Sequence, residues 1–350
     1  MKFGIFDHVE RAQADTTAQY DDRLKLVEVY EDVGFHTYFK SEHHTSKLSI
    51  APSPSVYLAA LSQRTSKINL GSLVFTLAVH DPLRLVEEIA MLDQLTHGRL
   101  QLGVGRGANI VEQRFFGRDP SQTPKIYDEA IEILLQGLRD RRLNFSGEYF
   151  SYDNVPIEVD LVQKPLPPLW FGVVEPRHVA WAVQNRSNVV VYGTADRAAP
   201  QIDLFRSEWL KAGNSWQDMP FAGVLRNVVI ADTDEEAVSI ARRAYAVYER
   251  NHMHIWEVNN VIDPYRKEGV AHDFDGMQAA GLGFAGSPAT VRDALLNQVS
   301  KSGANYLVCV PAFGDLTLAE SSRTARLFAQ EVMPALEEFD AKRATARQAA

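Results

Sequence analysis

The stretch from residue 65 to residue 107 constrains the fold of this chain most, because it combines two strand patterns with a helix pattern between them. The apolar run at 68–75 is long enough for a buried parallel strand. Asp81 and Pro82 then supply an N-cap and a first-turn proline for a helix. A second apolar strand follows at 100–104 after a short connection. The stretch therefore predicts a βαβ unit whose two strands lie parallel in one sheet.

The same alternation of strand and helix continues through the rest of the chain. Further strands are predicted at 2–6, 37–40, 169–174, 189–191, 222–230 and 306–310. Helices are predicted at 20–33, 55–64, 82–95, 124–138, from 175 onward, at 200–212, at 234–250, from 287 onward and at 316–336. Eight strands in one run without a linker predict a single (β/α)8 TIM barrel of the α/β class over residues 1–340, with a tail at 341–350.

Two stretches interrupt this alternation and predict insertions. A bare barrel needs about 250 residues, so a chain of 350 residues has room for both. Residues 143–168 are rich in aromatic and β-branched residues with turn formers between them, which predicts a β insertion after helix four. Residues 256–284, after strand seven, have weak periodicity and several glycines, which predicts a lid-like insertion on the active face.

Composition and charge exclude several classes of protein. The net charge of -9 and the lack of a basic block argue against a nucleic-acid partner. No apolar run is long enough to span a membrane, and the first strand begins at once without a signal peptide. The single cysteine, Cys309, lies in the apolar run YLVCV and is expected to be an inert buried thiol. We therefore expect a soluble cytoplasmic protein.

The ends of strands four and five carry positive residues, and functional side chains in such barrels lie at these carboxyl ends. The glycine-rich run at 103–107 contains Arg106, which alone indicates either a ligand-binding turn or a tight turn with a solvated arginine. After strand five, Arg177 and His178 lie on the first turn of a helix, where free N–H groups and the helix dipole favour an anion. Together these positive groups predict a phosphate site, although Glu175 would repel an anion unless its side chain turns away.

Histidines lie near the ends of the first three strands, namely His8, His43, His44 and His80. With Glu42 beside two of them, they could be acid–base groups or metal ligands. If the second strand continued through His43 and His44, their side chains would point to opposite faces and only one would reach the barrel mouth. Strands six to eight end without convincing further ligands, so we predict no metal site.

The chain resembles the bacterial luciferase-like flavin monooxygenase family along almost its full length. The matching stretches, in order, are MKFGIF, GFHTYFKSEHH, KINLGSLVF, LVEEIAMLDQLTHGRLQLGVGRG, GSPATVRDAL and LFAQEVMPAL. The resemblance implies a (β/α)8 barrel that binds reduced flavin mononucleotide (FMN) in its mouth. It also implies that a separate reductase supplies the flavin, and that flavin and O2 together oxygenate an organic substrate.

The resemblance assigns roles to residues by their position. The catalytic histidine of the family corresponds to His43, with His44 beside it, and the phosphate-binding arginine corresponds to Arg106. A non-prolyl cis peptide under the flavin ring corresponds to the bond between Leu73 and Val74. The full set of expected cofactor-binding residues is Leu73, Val74, Gly105, Arg106, Asn109, Val174, Glu175, Arg177 and His178.

The chain departs from the family pattern at two places. Luciferases have a reactive cysteine where this chain has Gly105, and an aromatic residue where it has Asn109. At the phosphate turn, the usual serine and threonine hydroxyls are replaced by residues 175–178, with the sequence EPRH. These differences bear on flavin affinity and on light emission, and they leave the oxygenase interpretation in place.

The leading interpretation is a flavin-dependent monooxygenase that acts on a small, largely apolar compound, such as an aldehyde or an alkane-like molecule. One alternative is a deazaflavin-dependent oxidoreductase, since that group shares the fold. Another is a non-catalytic flavin-binding protein, against which the pair His43 and His44 argues. The predicted helices at 55–64 and 82–95 carry more apolar surface than one barrel contact needs. Members of the family commonly pair through helices in this region, so the resemblance implies a homodimer.

Overall fold

A computed structural model describes residues 1–173, 175–263 and 272–349 of the chain, with side chains to residue 345. Val174, which the sequence places at the cofactor, lies outside the described residues. Residues 264–271, in the middle of the predicted lid-like insertion, also lie outside them.

Eight parallel strands close into a barrel. The strands of the described chain are β1 (Lys2–Asp7), β2 (Thr37–Lys40), β3 (Asn69–Thr76), β4 (Leu100–Gly105), β5 (Arg142–Ser146), β6 (Ser151–Pro156), β7 (Leu169–Val173), β8 (Asn188–Val191), β9 (Ala222–Ile230), β10 (Gly283–Gly286) and β11 (Tyr306–Val310). The order β1-β2-β3-β4-β7-β8-β9-β11 returns to β1, and β10 pairs with the far end of β9. The eight predicted barrel strands and the (β/α)8 TIM barrel are confirmed.

Helices follow most of the strands and cover the outside of the barrel. They are α1 (Thr16–Asp32), α2 (Pro54–Ser62), α3 (Pro82–Leu95), α4 (Ile110–Phe115), α5 (Thr123–Asp140), α6 (Arg177–Gln184), α7 (Ala195–Lys211), α8 (Asp234–Val258), α9 (Phe274–Ala279), α10 (Pro288–Ser302), α11 (Leu318–Leu327) and α12 (Met333–Ala349). Among these described helices, none combines the length and the apolarity that crossing a bilayer requires.

Several helix bounds differ from the predictions. The helix predicted to begin at residue 200 begins earlier, because Thr194 caps α7 by accepting a hydrogen bond from the backbone N–H of Arg197, and Pro200 lies inside the helix. Helix α8 continues past its predicted end at residue 250 to Val258. Helix α4 was not predicted at all, and α12 continues through the predicted tail to residue 349. The domain limits at 340 and 350 stay predictions.

The β insertion is an antiparallel hairpin of β5 and β6 that lies between α5 and β7. Its two strands form a separate sheet of their own. In the predicted lid-like insertion, the described part contains the end of α8, the short helix α9 and the start of β10. Its role as a lid stays a prediction.

Large side chains fill the interior of the barrel, so the chain has a packed core below its mouth. The buried interior cluster consists of Phe39, Trp170, Val190, Tyr306 and Val308. The indole N–H of Trp170 donates a hydrogen bond to Gln101 Oε1 at 2.7 Å, which satisfies the one polar atom of this side chain. A second apolar layer packs the helices on the strands, and burial of each large side chain there contributes about 1.5–3 kcal/mol.

The mouth of the barrel is bordered by α4 and by the last turns of α8. Val111 on α4 packs in one buried cluster with Met253, Ile255 and Trp256 of α8. Because α4 follows β4 and α8 follows β9, this contact joins two distant parts of the rim.

Candidate active site

The predicted histidines do converge at the carboxyl ends of β1 to β3, where they form two separate groups. In the first group, His44 and His80 both contact Glu42. In the second group, the ring of His43 lies 5.3 Å from the ring of His8, centroid to centroid. Strand β2 ends at Lys40, so both members of the histidine pair lie in a loop, and the alternation expected of a strand does not apply to them.

Glu42 is the centre of the first group. Its Oε1 lies 2.8 Å from His44 Nε2 and 2.7 Å from His80 Nε2, and its Oε2 accepts a hydrogen bond from the backbone N–H of Thr76 at 2.6 Å. The side chain of Glu42 is fully buried. Burial opposes ionisation, but these hydrogen bonds prevail and lower the pKa of Glu42 to about 2. Glu42 is therefore a carboxylate that fixes the loops after β2 and β3.

The same contact determines the charge of His80. Burial alone would lower the pKa of His80, but the hydrogen bond and the charge of Glu42 outweigh it, so the pKa is raised. His44 packs edge-on against the ring of Phe116 at 4.7 Å, with its Nε2 on Glu42. The Nε2 atoms of His44 and His80 are thus engaged with Glu42 inside the protein. This indicates that the group positions the loops after β2 and β3.

Glu112 on α4 is the centre of the second group, and the sequence interpretation did not identify it. Its Oε1 lies 3.0 Å from His43 Nδ1, and its side chain is almost completely buried. Among the described residues, Nε2 of His43 makes no hydrogen bond. A carboxylate that fixes one nitrogen of an imidazole leaves the other nitrogen free to hold or move a proton. His43 therefore has the environment of an acid–base residue.

Asn109 fixes Glu112 in this position. Its Oδ1 accepts hydrogen bonds from the backbone N–H groups of Val111 and Glu112, and its Nδ2 donates to Glu112 Oε1 at 3.1 Å. Asn109 is thus the N-cap of α4, a role typical of asparagine. The spacing of asparagine and glutamate after a glycine turn is the signal in the sequence that could have revealed α4. The expected contact of Asn109 with the cofactor stays a prediction.

The bond between Leu73 and Val74 is cis, as the family resemblance predicts. The pairing of β3 with β4 shifts register between Ser72 and Phe75, on either side of this bond. A Cβ atom on Gly105 would lie 2.5 Å from Val74 Cγ2, which is too close for any side chain without movement of the neighbour. The glycine at the position of the luciferase cysteine is therefore explained by close packing of β4 on this part of β3.

The predicted phosphate residues lie at the ends of β4 and β7, which are neighbours in the barrel. Arg106 is exposed and, within the described part of the chain, makes no hydrogen bond or ion pair. Burial lowers the pKa of His178, and the charges of Arg177 and Arg106 lower it further against the opposing charge of Glu175. Glu175 pairs with Arg177 at 2.8 Å, and its backbone N–H donates to His178 Nδ1 at 3.3 Å.

This arrangement fits a phosphate group. Arg106 offers a cation without a described carboxylate partner, and α6 begins after β7, the strand that pairs with β4. The carboxylate of Glu175 is turned toward Arg177, which reduces the repulsion that its position in the sequence suggested. Within the described residues, no group of three or more histidine, cysteine, aspartate or glutamate side chains could hold a metal ion.

Comparison with known proteins identifies the family. The model of the luciferase-like monooxygenase family matches residues 1–306, so the chain belongs to this family, and its class is that of the flavin-dependent monooxygenases. An uncharacterized protein y4wF of Sinorhizobium fredii is 37% identical over 333 residues, covering 95% of this chain and 96% of that protein. The oxygenase component of the flavin-dependent trigonelline monooxygenase of Acinetobacter baylyi is 28% identical over 287 residues, covering 78% and 79%.

Solved structures share the fold at lower identity. The oxygenating constituent of 3,6-diketocamphane monooxygenase of Pseudomonas putida, in complex with FMN, superposes with a TM-score of 0.79 at 20% identity, covering 95% of this chain and 98% of that one. The coenzyme F420-dependent tetrahydromethanopterin reductase of Methanopyrus kandleri superposes with a TM-score of 0.69 at 21% identity, covering 95% and 98%. The fold therefore occurs in proteins that use FMN and in proteins that use coenzyme F420.

Proposed function

We propose that this protein uses reduced FMN and O2 to oxygenate a small, largely apolar organic substrate. The observation that carries this proposal is the placement of His43, with its carboxylate partner Glu112, and of Arg106 around the same mouth. Strands β2, β3, β4 and β7 are consecutive in the barrel, so the bond between Leu73 and Val74 in β3 lies between His43, which follows β2, and the phosphate residues, which follow β4 and β7. One extended cofactor can therefore contact His43, the bond between Leu73 and Val74, and the phosphate residues.

Each residue has a defined task in this proposal. Arg106 and the first turn of α6, with Arg177 and His178, hold the phosphate, and the bond between Leu73 and Val74 supports the ring system. When bound, reduced flavin supplies the electrons that activate O2. His43 holds or moves a proton through Nε2 at the reacting edge, and Glu112 keeps its imidazole in the required orientation.

The remaining expected contacts belong to the same proposal. Gly105 and Asn109 would line the cofactor from the end of β4, and Glu175 from the turn before α6. Val174 precedes this turn in the sequence and is assigned to the cofactor by family resemblance alone. The apolar cluster of α4 and α8 borders the mouth and excludes water, which suits an aldehyde- or alkane-like substrate.

We also propose a separate reductase, a homodimer and a cytoplasmic location. The Acinetobacter relative is an oxygenase component, which supports a reductase on another chain. Val56 on α2 is 73% exposed and Met91 on α3 is 52% exposed, so these two helices present apolar side chains to solvent. A second copy of the chain would cover them. A partner that supplies reduced flavin would lie in the same compartment.

The test separates the cofactors. Reduced FMN and reduced F420 are added to the protein in separate anaerobic titrations, and binding is followed by absorbance. Each complex is then mixed with 18O2 and octanal, and the products are examined by mass spectrometry. The proposal expects tight binding of reduced FMN and one labelled oxygen atom in the product. Binding of F420 alone, or binding of FMN without label in any organic product, would contradict it.

A further inference from the structure

The loop after β1 adopts a rare backbone conformation at the rim of the mouth. Val9 has a φ of 54° and is fully buried, although β-branched residues very seldom adopt left-handed backbone angles. Its backbone N–H donates to Asp7 Oδ1 at 2.7 Å, and its carbonyl accepts from the N–H of Ile50 at 2.9 Å. Such conformations persist only where the surroundings enforce them, and they are common at functional sites.

The enforced conformation fixes His8, the residue before Val9. Lys40 Nζ donates a hydrogen bond to the backbone carbonyl of His8 at 2.9 Å, and the hydroxyl group of Tyr38 donates a hydrogen bond to Asp7 Oδ2 at 3.1 Å. Lys40 and Asp7 are both buried. The backbone on both sides of His8 is therefore anchored by buried polar groups.

The ring of His8 is also anchored, but only at one nitrogen. Nδ1 lies 2.9 Å from Ser41 Oγ, and the ring packs edge-on against Phe6 at 4.8 Å. Its other neighbours are the rings of His43, at 5.3 Å, and of Tyr248 on α8, at 6.0 Å. Across the described chain, no hydrogen bond reaches Nε2 of His8. A fixed imidazole thus leaves one polar atom available beside the acid–base pair.

The surroundings keep this imidazole neutral. Burial holds the pKa of His8 well below its ordinary value, and the neighbouring side chains of His43, Lys40 and His252 lower it further. Among the described residues, no carboxylate forms a hydrogen bond or an ion pair with the ring, and Asp263 lies 3.3 Å from His252. A neutral imidazole hydrogen-bonds a hydroxyl or a carbonyl group and has no charge with which to attract an anion.

We propose that His8 is a substrate-binding residue, and that its Nε2 hydrogen-bonds one neutral polar group of an otherwise apolar substrate. The inference rests on the proposed function and adds a feature of the substrate to it. Strand β1 lies opposite β7 in the barrel order, so this contact lies across the mouth from the phosphate residues. The substrate would then be positioned between His8 and the cofactor, next to His43.

The experiment compares probes that share one apolar chain. Octane, octanol, octanal and octanoate are titrated into the protein, with and without oxidised FMN, and dissociation constants are measured by calorimetry. The variants are His8→Asn, which keeps a polar atom near the Nδ1 position and loses Nε2, and His8→Gln, which keeps a polar atom near Nε2. His97→Asn is the control, since His97 is exposed at the opposite end of the barrel and asparagine tolerates its φ of 54°.

The proposal expects the wild-type protein to bind octanol and octanal about tenfold more tightly than octane, as one hydrogen bond allows, and more tightly than octanoate. His8→Asn should remove this preference, His8→Gln should retain part of it, and His97→Asn should leave it unchanged. The proposal is overturned if the preference survives in His8→Asn, if octanoate binds best, if no probe binds, or if all affinities and the melting temperature fall together.

These measurements need no turnover, so they separate the two proposals. If the wild-type protein prefers octanol and octanal to octane and His8→Asn removes this preference, but no octanal is oxygenated, the proposed function alone is contradicted. If octanal is oxygenated but His8→Asn leaves the binding preference unchanged, the role of His8 alone is contradicted.

Discussion

The substitution Glu42→Gln should destabilise the fold through the loss of one buried charge. The carboxylate of Glu42 is fully buried and accepts hydrogen bonds from His44, His80 and the backbone of Thr76. A glutamine has only one acceptor oxygen, and its amide group would face one of these donors. His80 would also lose the carboxylate that raises its pKa.

The size of the effect follows from the pKa of Glu42. A decrease from the ordinary value of 4.5 to about 2 corresponds to about 3 kcal/mol of stabilisation above both values. Removal of one partner from a buried ion pair costs about 3–5 kcal/mol, which agrees with this figure. We therefore expect Glu42→Gln to reduce the free energy of unfolding by about 3 kcal/mol at neutral pH.

The effect should also depend on pH in a defined direction. The folded pKa of Glu42 lies below its unfolded value, so its stabilisation is complete above about 4.5 and is lost as the pH falls toward 2. The folded pKa of His80 is raised, so its contribution is present at low pH and is lost as the pH rises through that value. The difference in the free energy of unfolding between wild type and Glu42→Gln should thus disappear at acid pH and become smaller at alkaline pH.

Urea unfolding followed by tryptophan fluorescence measures the difference at a series of pH values. Glu148→Gln serves as the control, because the side chain of Glu148 is exposed and its ion pair with the exposed Lys125 should contribute little, so the midpoint should stay unchanged. A loss of less than about 1 kcal/mol for Glu42→Gln at neutral pH, or a loss that stays undiminished as the pH falls toward 2, would refute the assignment of Glu42 as a buried carboxylate.

Three further predictions test the proposed function. Arg106→Ala should weaken FMN about ten- to a hundredfold and leave riboflavin nearly unchanged, because only FMN carries the phosphate; equal loss for both ligands in equilibrium titrations would assign Arg106 to structure. His43→Ala should bind reduced flavin and melt normally, while oxygenation falls about a hundred- to ten-thousandfold and hydrogen peroxide is released instead. Full turnover with tight coupling in this variant would remove His43 from the mechanism. Light scattering should give the mass of a dimer, and Val56→Asp on α2 should shift it toward the monomer, whereas Leu210→Asp, at an exposed apolar residue on α7, should not.

Local patterns in the sequence were sufficient to predict the barrel. The strands are short apolar runs rich in β-branched residues, and helices such as α3 carry a capping residue and a first-turn proline whose local geometry needs no tertiary context. Helix α4 has only six residues and ends in two exposed phenylalanines, so its apolar periodicity is too short to recognise. Pro200 misled the prediction because its position suggests a first turn, while the actual N-cap lies at Thr194.

The site could be predicted less completely, because its partners are distant in the sequence. Spacing along the chain placed His43, Arg106 and His178 at strand ends, which is where the structure has them. The contact of His43 with Glu112 joins the loop after β2 to the helix after β4, and no local pattern encodes it. The same holds for the contact of Glu42 with His80, which separates the histidines into two groups. These residues become partners only because the closed barrel brings the loops after different strands together.

The packing of α4 has a consequence for how this enzyme can diversify. One face of the helix holds Glu112 against His43, and the preceding residue, Val111, is embedded in the apolar cluster with Met253 and Trp256 of α8. Helix α4 thus connects the last turns of α8 to Glu112. Substitutions in these turns can shift Glu112 relative to His43 without contacting either residue. A substitution in this part of α8 is therefore expected to change the apolar border of the mouth and the position of Glu112 together.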